Sequence, residues 1–168
     1  MIRYHNITDC DMLNGEGVRV VLWVSGCEHA CKGCQNPQTW SKNSGIDFEF
    51  KDLQELYSKL DNPYIDGLTL SGGDPLAHYN REDMTALVEE VKSLYPNKTI
   101  WVYTGYKYEE IKDLEIMEYI DVLVDGKFVQ ENREKNPSVQ WRGDDSQRII
   151  DVQKTRELGS IVERIDLY

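Results

Sequence analysis

Residues 18–34 read VRVVLWVSGCEHACKGC, so a run of apolar residues leads directly into three closely spaced cysteines. An apolar run without regular polar alternation is typical of a strand buried on both faces, as in a parallel sheet. Cys27, Cys31 and Cys34 follow this run in the pattern C-x3-C-x2-C. In an intracellular chain, clustered cysteines indicate metal binding or redox chemistry rather than a disulfide framework.

Strands and amphipathic helices alternate along the rest of the chain. We predict helices over 50–61, 80–96 and 108–119, from the spacing of their apolar residues. Further strands are predicted within residues 66–75, 98–106, 120–128 and 147–152. This alternation implies βαβ units. The predicted fold is α/β, a partial, open (β/α) barrel with a mostly parallel sheet, forming a single small domain over residues 1–168.

Glycine-containing loops follow the first four predicted strands, and they read SGC, SGGDP, TGY and DGK. In parallel α/β architectures the loops after the strands share one edge of the sheet, and ligands bind there. We therefore expect these loops to meet over one pocket. Asn14, Glu16 and Gly17 precede the first apolar strand, so they are expected at the opposite edge unless their loop folds over.

The composition argues against several classes of function. The chain has 168 residues, a formal net charge of −11 and a pI near 4.7. Nucleic-acid binding needs Lys and Arg to neutralise phosphates, so this balance argues against it. No apolar stretch approaches the roughly 18 to 20 residues of a membrane span, and the first residues do not read as a secretory signal. We expect a cytoplasmic protein whose partner is another protein.

Three clustered cysteines leave a metal centre one ligand short. Thiolates favour zinc, copper(I) and iron–sulfur clusters, and a structural zinc ion usually takes four ligands. Cys10 or His29 would have to complete a zinc site. On an iron–sulfur cube, three cysteines would leave one iron open for chemistry. We favour the cluster, and structural zinc or an electron-transfer module is the non-enzymatic alternative.

SGGDP at 71–75 has two interpretations. Taken alone it favours a tight turn between a strand and a helix. In the functional interpretation, Gly72 and Gly73 let a ligand approach the backbone and Asp74 meets a cationic group.

Together, these two motifs resemble those of the radical S-adenosylmethionine (SAM) superfamily, where C-x3-C-x2-C follows the first strand and a GGE-P-like motif follows the second. Asp74 stands where Glu is commoner. Within the superfamily, the chain resembles the activases of anaerobic (class III) ribonucleoside-triphosphate reductases. The stretches that carry this resemblance are NGEGVRVVLWVSGC, CKGCQNPQTW, YIDGLTLSGGDPL, KTIWVYTGY and WRGDDSQR.

The resemblance implies a [4Fe–4S] cluster held by Cys27, Cys31 and Cys34, with SAM chelated at the open iron. It implies no catalytic residue beyond these ligands. The cofactor-binding positions expected from it are Gly33, Cys34, Gln35, Gly72, Gly73, Asp74 and Thr104. An aromatic residue expected beside the third cysteine, to pack the adenine, is missing from both neighbouring positions.

The implied reaction is reductive cleavage of SAM to methionine and a 5′-deoxyadenosyl radical, which generates a glycyl radical on the large subunit of the reductase. The difficult chemistry belongs to the cofactors, while the protein binds and shields them. A flavodoxin-type electron donor is also implied. The enzymatic alternatives are the activase of another glycyl-radical enzyme, such as a formate-lyase, and a small deazaguanine-forming synthase.

Overall fold

The computed structural model describes residues 1–133 and 140–164. Within these ranges seven strands form one sheet, namely β1 (Arg3–Asp11), β2 (Arg19–Val24), β3 (Ile46–Asp47), β4 (Gly67–Gly72), β5 (Thr99–Tyr103), β6 (Val122–Asp125) and β7 (Arg148–Asp151). The α-helices are α1 (Phe50–Leu60), α2 (Arg81–Leu94), α3 (Tyr108–Ile111) and α4 (Val152–Leu158). Short 3-10 turns occupy Pro37–Thr39, Glu115–Glu118 and Gln130–Asn132.

The sheet has the order β3-β1-β2-β4-β5-β6-β7 and is parallel through its centre. β2, β4, β5 and β6 pair in parallel, and the remaining strands pair antiparallel on either side. Since β3 and β7 are the edge strands within residues 1–133 and 140–164, the sheet formed by these residues does not close. The predicted α/β class with an open, partial barrel is confirmed.

The central strands present alternate residues to two different surroundings, as the pleat requires. One face packs on α1 and α2 through residues such as Leu22 and Leu56, and this layer holds the main core. The opposite face, called the inner face below, is defined by Thr69, Trp101 and Val124. Because both faces are buried, the strands read as continuous apolar runs in the sequence.

The helices match the prediction at two of three places. α1 and α2 lie within the predicted ranges, but Leu94 in the last turn of α2 is 53% exposed and does not belong to the core. The predicted helix over 108–119 divides into α3 and a 3-10 turn, because Leu114 between them has an extended backbone. This break lets Ile111 and Ile116 both reach the core.

The strands at the sides of the sheet were predicted less well than the centre. The strand expected at 147–152 exists as β7, but it runs antiparallel to β6. β1 was missed because register shifts interrupt its alternation. Beyond α4, Asp151 N donates to Val162 O and Arg164 N donates to Ile149 O, so the returning chain covers part of the outer edge of β7.

The prediction of one domain over residues 1–168 extends to 134–139 and 165–168, which lie outside the described ranges, and it stays a prediction. Among the helices of residues 1–133 and 140–164, each is too short or too polar to span a bilayer.

Candidate functional site

A cavity of about 370 Å³ lies at the carboxyl ends of the parallel strands. Its wall includes Cys27, Gly73, Thr104 and Gly126, which belong to the loops after β2, β4, β5 and β6 respectively. The expectation that the glycine-containing loops meet over one pocket is therefore confirmed. Large aromatic side chains complete much of the wall, and they are Trp23, Trp40, Tyr103, Phe128 and Trp141.

The clustered cysteines all line this cavity. Cys27, Cys31 and Cys34 are free, half-buried thiols, whereas Cys10 is exposed on β1 and lies outside the wall. Burial raises the pKa of the Cys27 thiol to about 11, so a metal centre binding there must displace its proton. Three soft sulfur donors on one short loop fit an iron–sulfur cluster.

Main-chain hydrogen bonds hold the two ends of the cysteine loop. Cys27 N donates to Trp40 O at 2.9 Å, and Cys34 N donates to Cys31 O at 3.1 Å. Asn36 N also donates to Cys34 Sγ at 3.3 Å. This bond holds the sulfur of the third cysteine against the main chain of its own loop.

The two glycines of SGGDP bring the β4 loop against the cysteine loop. A Cβ on Gly73 would lie 2.4 Å from Gly26 O, and a Cβ on Gly72 would lie 2.7 Å from Val24 O. Gly72 also has φ +100°, which side-chain-bearing residues rarely adopt. Their lack of side chains therefore permits two neighbouring backbones to touch.

Asp74, the residue after these glycines, is buried in a hydrogen-bond network. Its carboxylate accepts from Thr104 Oγ1 at 2.9 Å, from Gly105 N at 3.0 Å and from Leu76 N at 2.8 Å. His29 Nε2 lies 2.5 Å from Asp74 Oδ2. Asn80 is the N-cap residue of α2, and its side chain donates to Ser25 O and Asp74 O, at 3.0 Å each.

The predicted cofactor-binding positions do not all reach the cavity. Those on the wall are Cys34, Gln35, Gly72, Gly73, Asp74 and Thr104. Gly33 does not line it; it has φ +73° and lies against Gln130, whose side chain would be 2.7 Å from a Cβ at this position. The roles of all these residues toward a cofactor remain predictions.

Sequence reasoning missed most of the aromatic wall. Trp23 on β2 and Tyr103 on β5 lie on the inner face of the sheet, the same face as Trp101. A period of two along each strand identifies that face, but only the folded sheet shows that it leads into the cavity. Phe128 and Trp141 reach the wall from the chain between β6 and β7.

The loop before β2 folds over the inner face at Asn14, contrary to the simpler expectation. Glu16 and Gly17 stay near Arg19 and Asp66, at the amino ends of the strands, as expected. Leu13 and Asn14 line the cavity, Thr69 Oγ1 donates to Asn14 O at 2.8 Å, and Trp141 Nε1 donates to Met12 O at 3.1 Å. This loop therefore forms part of the cavity wall.

Comparison with known proteins agrees with this arrangement. Residues 13–150 match the family described as "4Fe-4S single cluster domain". The chain is 49% identical over 150 residues to the anaerobic ribonucleoside-triphosphate reductase-activating protein of Enterobacteria phage T4, covering 88% of this chain and 93% of that protein. The proteins of the same name from Haemophilus influenzae and Escherichia coli are 48% and 43% identical, covering 83% and 87% of this chain and 91% and 96% of theirs.

These matches extend over the cysteine loop, the glycine loops and the whole parallel centre of the sheet. They support the iron–sulfur interpretation of the cysteines over structural zinc. The chain belongs to the family of anaerobic ribonucleoside-triphosphate reductase-activating proteins and contains its 4Fe-4S domain.

Proposed function

We propose that this protein is a radical SAM activase that generates a glycyl radical on an anaerobic ribonucleoside-triphosphate reductase. The observation that carries the proposal is the position of the free thiols Cys27, Cys31 and Cys34 on a cavity that also contains the Gly72–Gly73 loop. Membership of the activating-protein family supports the choice of partner.

In this proposal the cysteines hold a [4Fe–4S] cluster, and SAM occupies the adjoining cavity. When bound, the cluster supplies the single electron that cleaves SAM to methionine and a 5′-deoxyadenosyl radical. The glycine loop after β4 gives the methionine end of SAM access to the backbone. The aromatic wall of Trp23, Tyr103 and Phe128 displaces water from the space where the radical would react.

The second substrate is a glycine-bearing segment of the reductase large subunit. With the cluster and SAM bound, removal of a hydrogen atom from the glycine Cα would leave the glycyl radical on the reductase and give 5′-deoxyadenosine as the co-product. No side chain of this chain is needed as an acid or base, because a hydrogen atom rather than a proton moves. A flavodoxin-type protein is the proposed source of the electron that each turnover consumes.

The test of the chemistry is anaerobic. The protein is reconstituted with iron and sulfide, reduced with dithionite and given SAM, and the products are separated by chromatography. Equal amounts of methionine and 5′-deoxyadenosine are expected. A protein that contains stoichiometric zinc as isolated and releases neither product would overturn the proposal.

The test of the partner adds the anaerobic reductase from the same organism to the reduced, SAM-loaded protein. Electron paramagnetic resonance should then show a glycyl doublet on the reductase. A formate-lyase added in its place is the control and should stay silent. A doublet on the formate-lyase alone would show that the protein activates a different glycyl-radical enzyme.

A further inference from the structure

His29 lies in the middle of the cysteine loop and is not needed as a cluster ligand. Its side chain is only 9% exposed and its Nε2 lies 2.5 Å from Asp74 Oδ2. The ring packs edge-on against Tyr106, with ring centres 4.7 Å apart. A Cβ on Gly105 would lie 2.3 Å from this ring. Gly105 and Tyr106, in the loop after β5, therefore pack closely against the His29 ring.

Asp74 has little capacity left for another ligand. Its side chain is 2% exposed and accepts from Thr104, Gly105 and Leu76 as well as from His29. A carboxylate offers about four acceptor sites, and these donors occupy them. An ammonium group reaching Asp74 would have to displace one of these buried donors.

The middle of the cysteine loop, around His29, is held differently from its two ends. Of the main-chain bonds described above, one joins Cys27 to Trp40 and the other closes the turn from Cys31 to Cys34. Between them, Ala30 has φ +49°, a left-handed conformation that is unfavourable for a residue with a side chain. A conformation of this kind persists only where surrounding contacts enforce it. The His29–Asp74 contact lies directly before Ala30 and is a contact of this kind.

We propose that Asp74 and His29 form an anchor that positions the cysteine loop, and that Asp74 acts on the cofactors through His29 rather than by binding the SAM ammonium group. The proposal rests on a cluster bound at Cys27, Cys31 and Cys34. The anchor ties the cysteine loop to the loops after β4 and β5. It thereby sets the spacing of the three thiols before any metal arrives.

Iron retention is the direct readout. We compare His29→Ala with His78→Ala, a matched control because His78 is exposed and contacts Glu28 of the same loop at 3.3 Å. Each reconstituted protein is mixed anaerobically with a ferrous chelator, without SAM, and iron release is followed by absorbance. Removing groups that orient metal ligands typically weakens metal binding by about 10- to 100-fold, so release from His29→Ala should be faster by that order. His78→Ala should match the wild type.

Conservative variants separate anchoring from a general loss of structure. In His29→Gln the side-chain amide can donate from nearly the same place as Nε2, so it should restore most of the iron retention. Thr104→Val removes one donor to Asp74 at nearly constant volume and should give a smaller acceleration. If His29→Ala proves too unstable to reconstitute, these two variants still decide the matter. Wild-type retention in Thr104→Val together with failure of Gln to rescue would overturn the anchor.

The affinity for SAM distinguishes the two roles of Asp74. If the anchor is correct, Asp74→Asn and His29→Ala share the fast-release phenotype, and the double variant is no faster than the worse single variant. If Asp74 instead binds the ammonium group, Asp74→Asn keeps its iron but binds SAM weakly, while His29→Ala binds SAM normally. That second pattern would overturn the proposal. Iron release is measured without SAM, so the anchor can hold even where the proposed SAM cleavage fails.

Discussion

The inner face of the sheet differs between its two ends. At the carboxyl ends of β2, β4 and β5 it opens into the cavity, which the free thiols of Cys27, Cys31 and Cys34 line. At the amino ends it is closed by Arg19, which is fully buried. The Arg19 guanidinium donates to Thr69 Oγ1, Glu16 O, Leu68 O, Thr99 O and Thr99 Oγ1, at 2.7 to 3.0 Å. It also lies over the Trp101 ring, 5.5 Å from the ring centre.

Because of this difference, we expect the two ends of the inner face to affect different properties of the protein. Burial lowers the pKa of Arg19 to about 10, which still leaves it charged at neutral pH, and the ring of acceptors compensates that charge. At the closed end the guanidinium is therefore fully hydrogen-bonded, and a substitution there should affect folding stability. The open end presents sulfur atoms and a partly polar cavity, so a change there should affect cofactor binding.

The largest effect is expected from the cysteines of the open end. Replacing Cys27, Cys31 or Cys34 by Ala removes one of the three cluster ligands, so reconstituted iron should fall to near background and SAM cleavage should cease. Cys10→Ala should keep both, because Cys10 is exposed on β1. Iron analysis and product chromatography measure the outcome. Equal losses in the Cys10 and Cys31 variants would show that Cys10 is a ligand.

The closed end should respond through stability. Arg19→Met leaves several buried acceptors without a donor, and we expect the free energy of unfolding of the metal-free protein to fall by about 3 to 5 kcal/mol. Arg164→Met is the control, since Arg164 is partly exposed and pairs with Glu16, so its loss should cost less than about 1 kcal/mol. Urea unfolding measures both. A large loss of iron from a well-folded Arg19 variant would contradict the division.

A smaller effect is expected from packing at the open end. In Gly105→Ala the new methyl group would meet the His29 ring at 2.3 Å, and forcing the ring aside should cost about 1 to 3 kcal/mol. Gly159→Ala is the counterpart, because Gly159 has φ +69° but open space around it, so only backbone strain of about 1 kcal/mol applies. Only the Gly105 variant should also release iron faster.

The smallest effect concerns Glu109, on the surface beside β7. Hydrogen bonds from Arg148 hold the pKa of Glu109 down to about 2, compared with its usual value near 4.5. This contribution is complete above pH 4.5 and is lost as the pH falls from 4.5 toward 2. Because Glu109 is 57% exposed, Glu109→Gln should cost only about 0.5 kcal/mol at pH 7. Urea midpoints of variant and wild type should converge at pH 2 to 3; a constant gap would contradict the assignment.

The sheet centre could be predicted because each signal is local. The apolar run before Cys27, the glycines at 72 and 73, and the spacing of α1 and α2 are readable within short windows. The sides of the sheet were harder, since β1 is irregular and β7 pairs antiparallel for reasons that lie in distant contacts. The same holds for the helix predicted over 108–119, which the core divides at Leu114.

The sequence by itself determined the identity and spacing of the three cysteines, the parallel direction of the central strands and the edge at which their loops meet. These follow from covalent spacing and from the two periodicities of regular structure. Only the tertiary structure decided that Asp74 binds His29, that Arg19 closes the amino end, and that Trp23, Tyr103 and Phe128 line the cavity. Those contacts join residues far apart in the chain, and burial makes each polar group take whichever partner the fold places nearest.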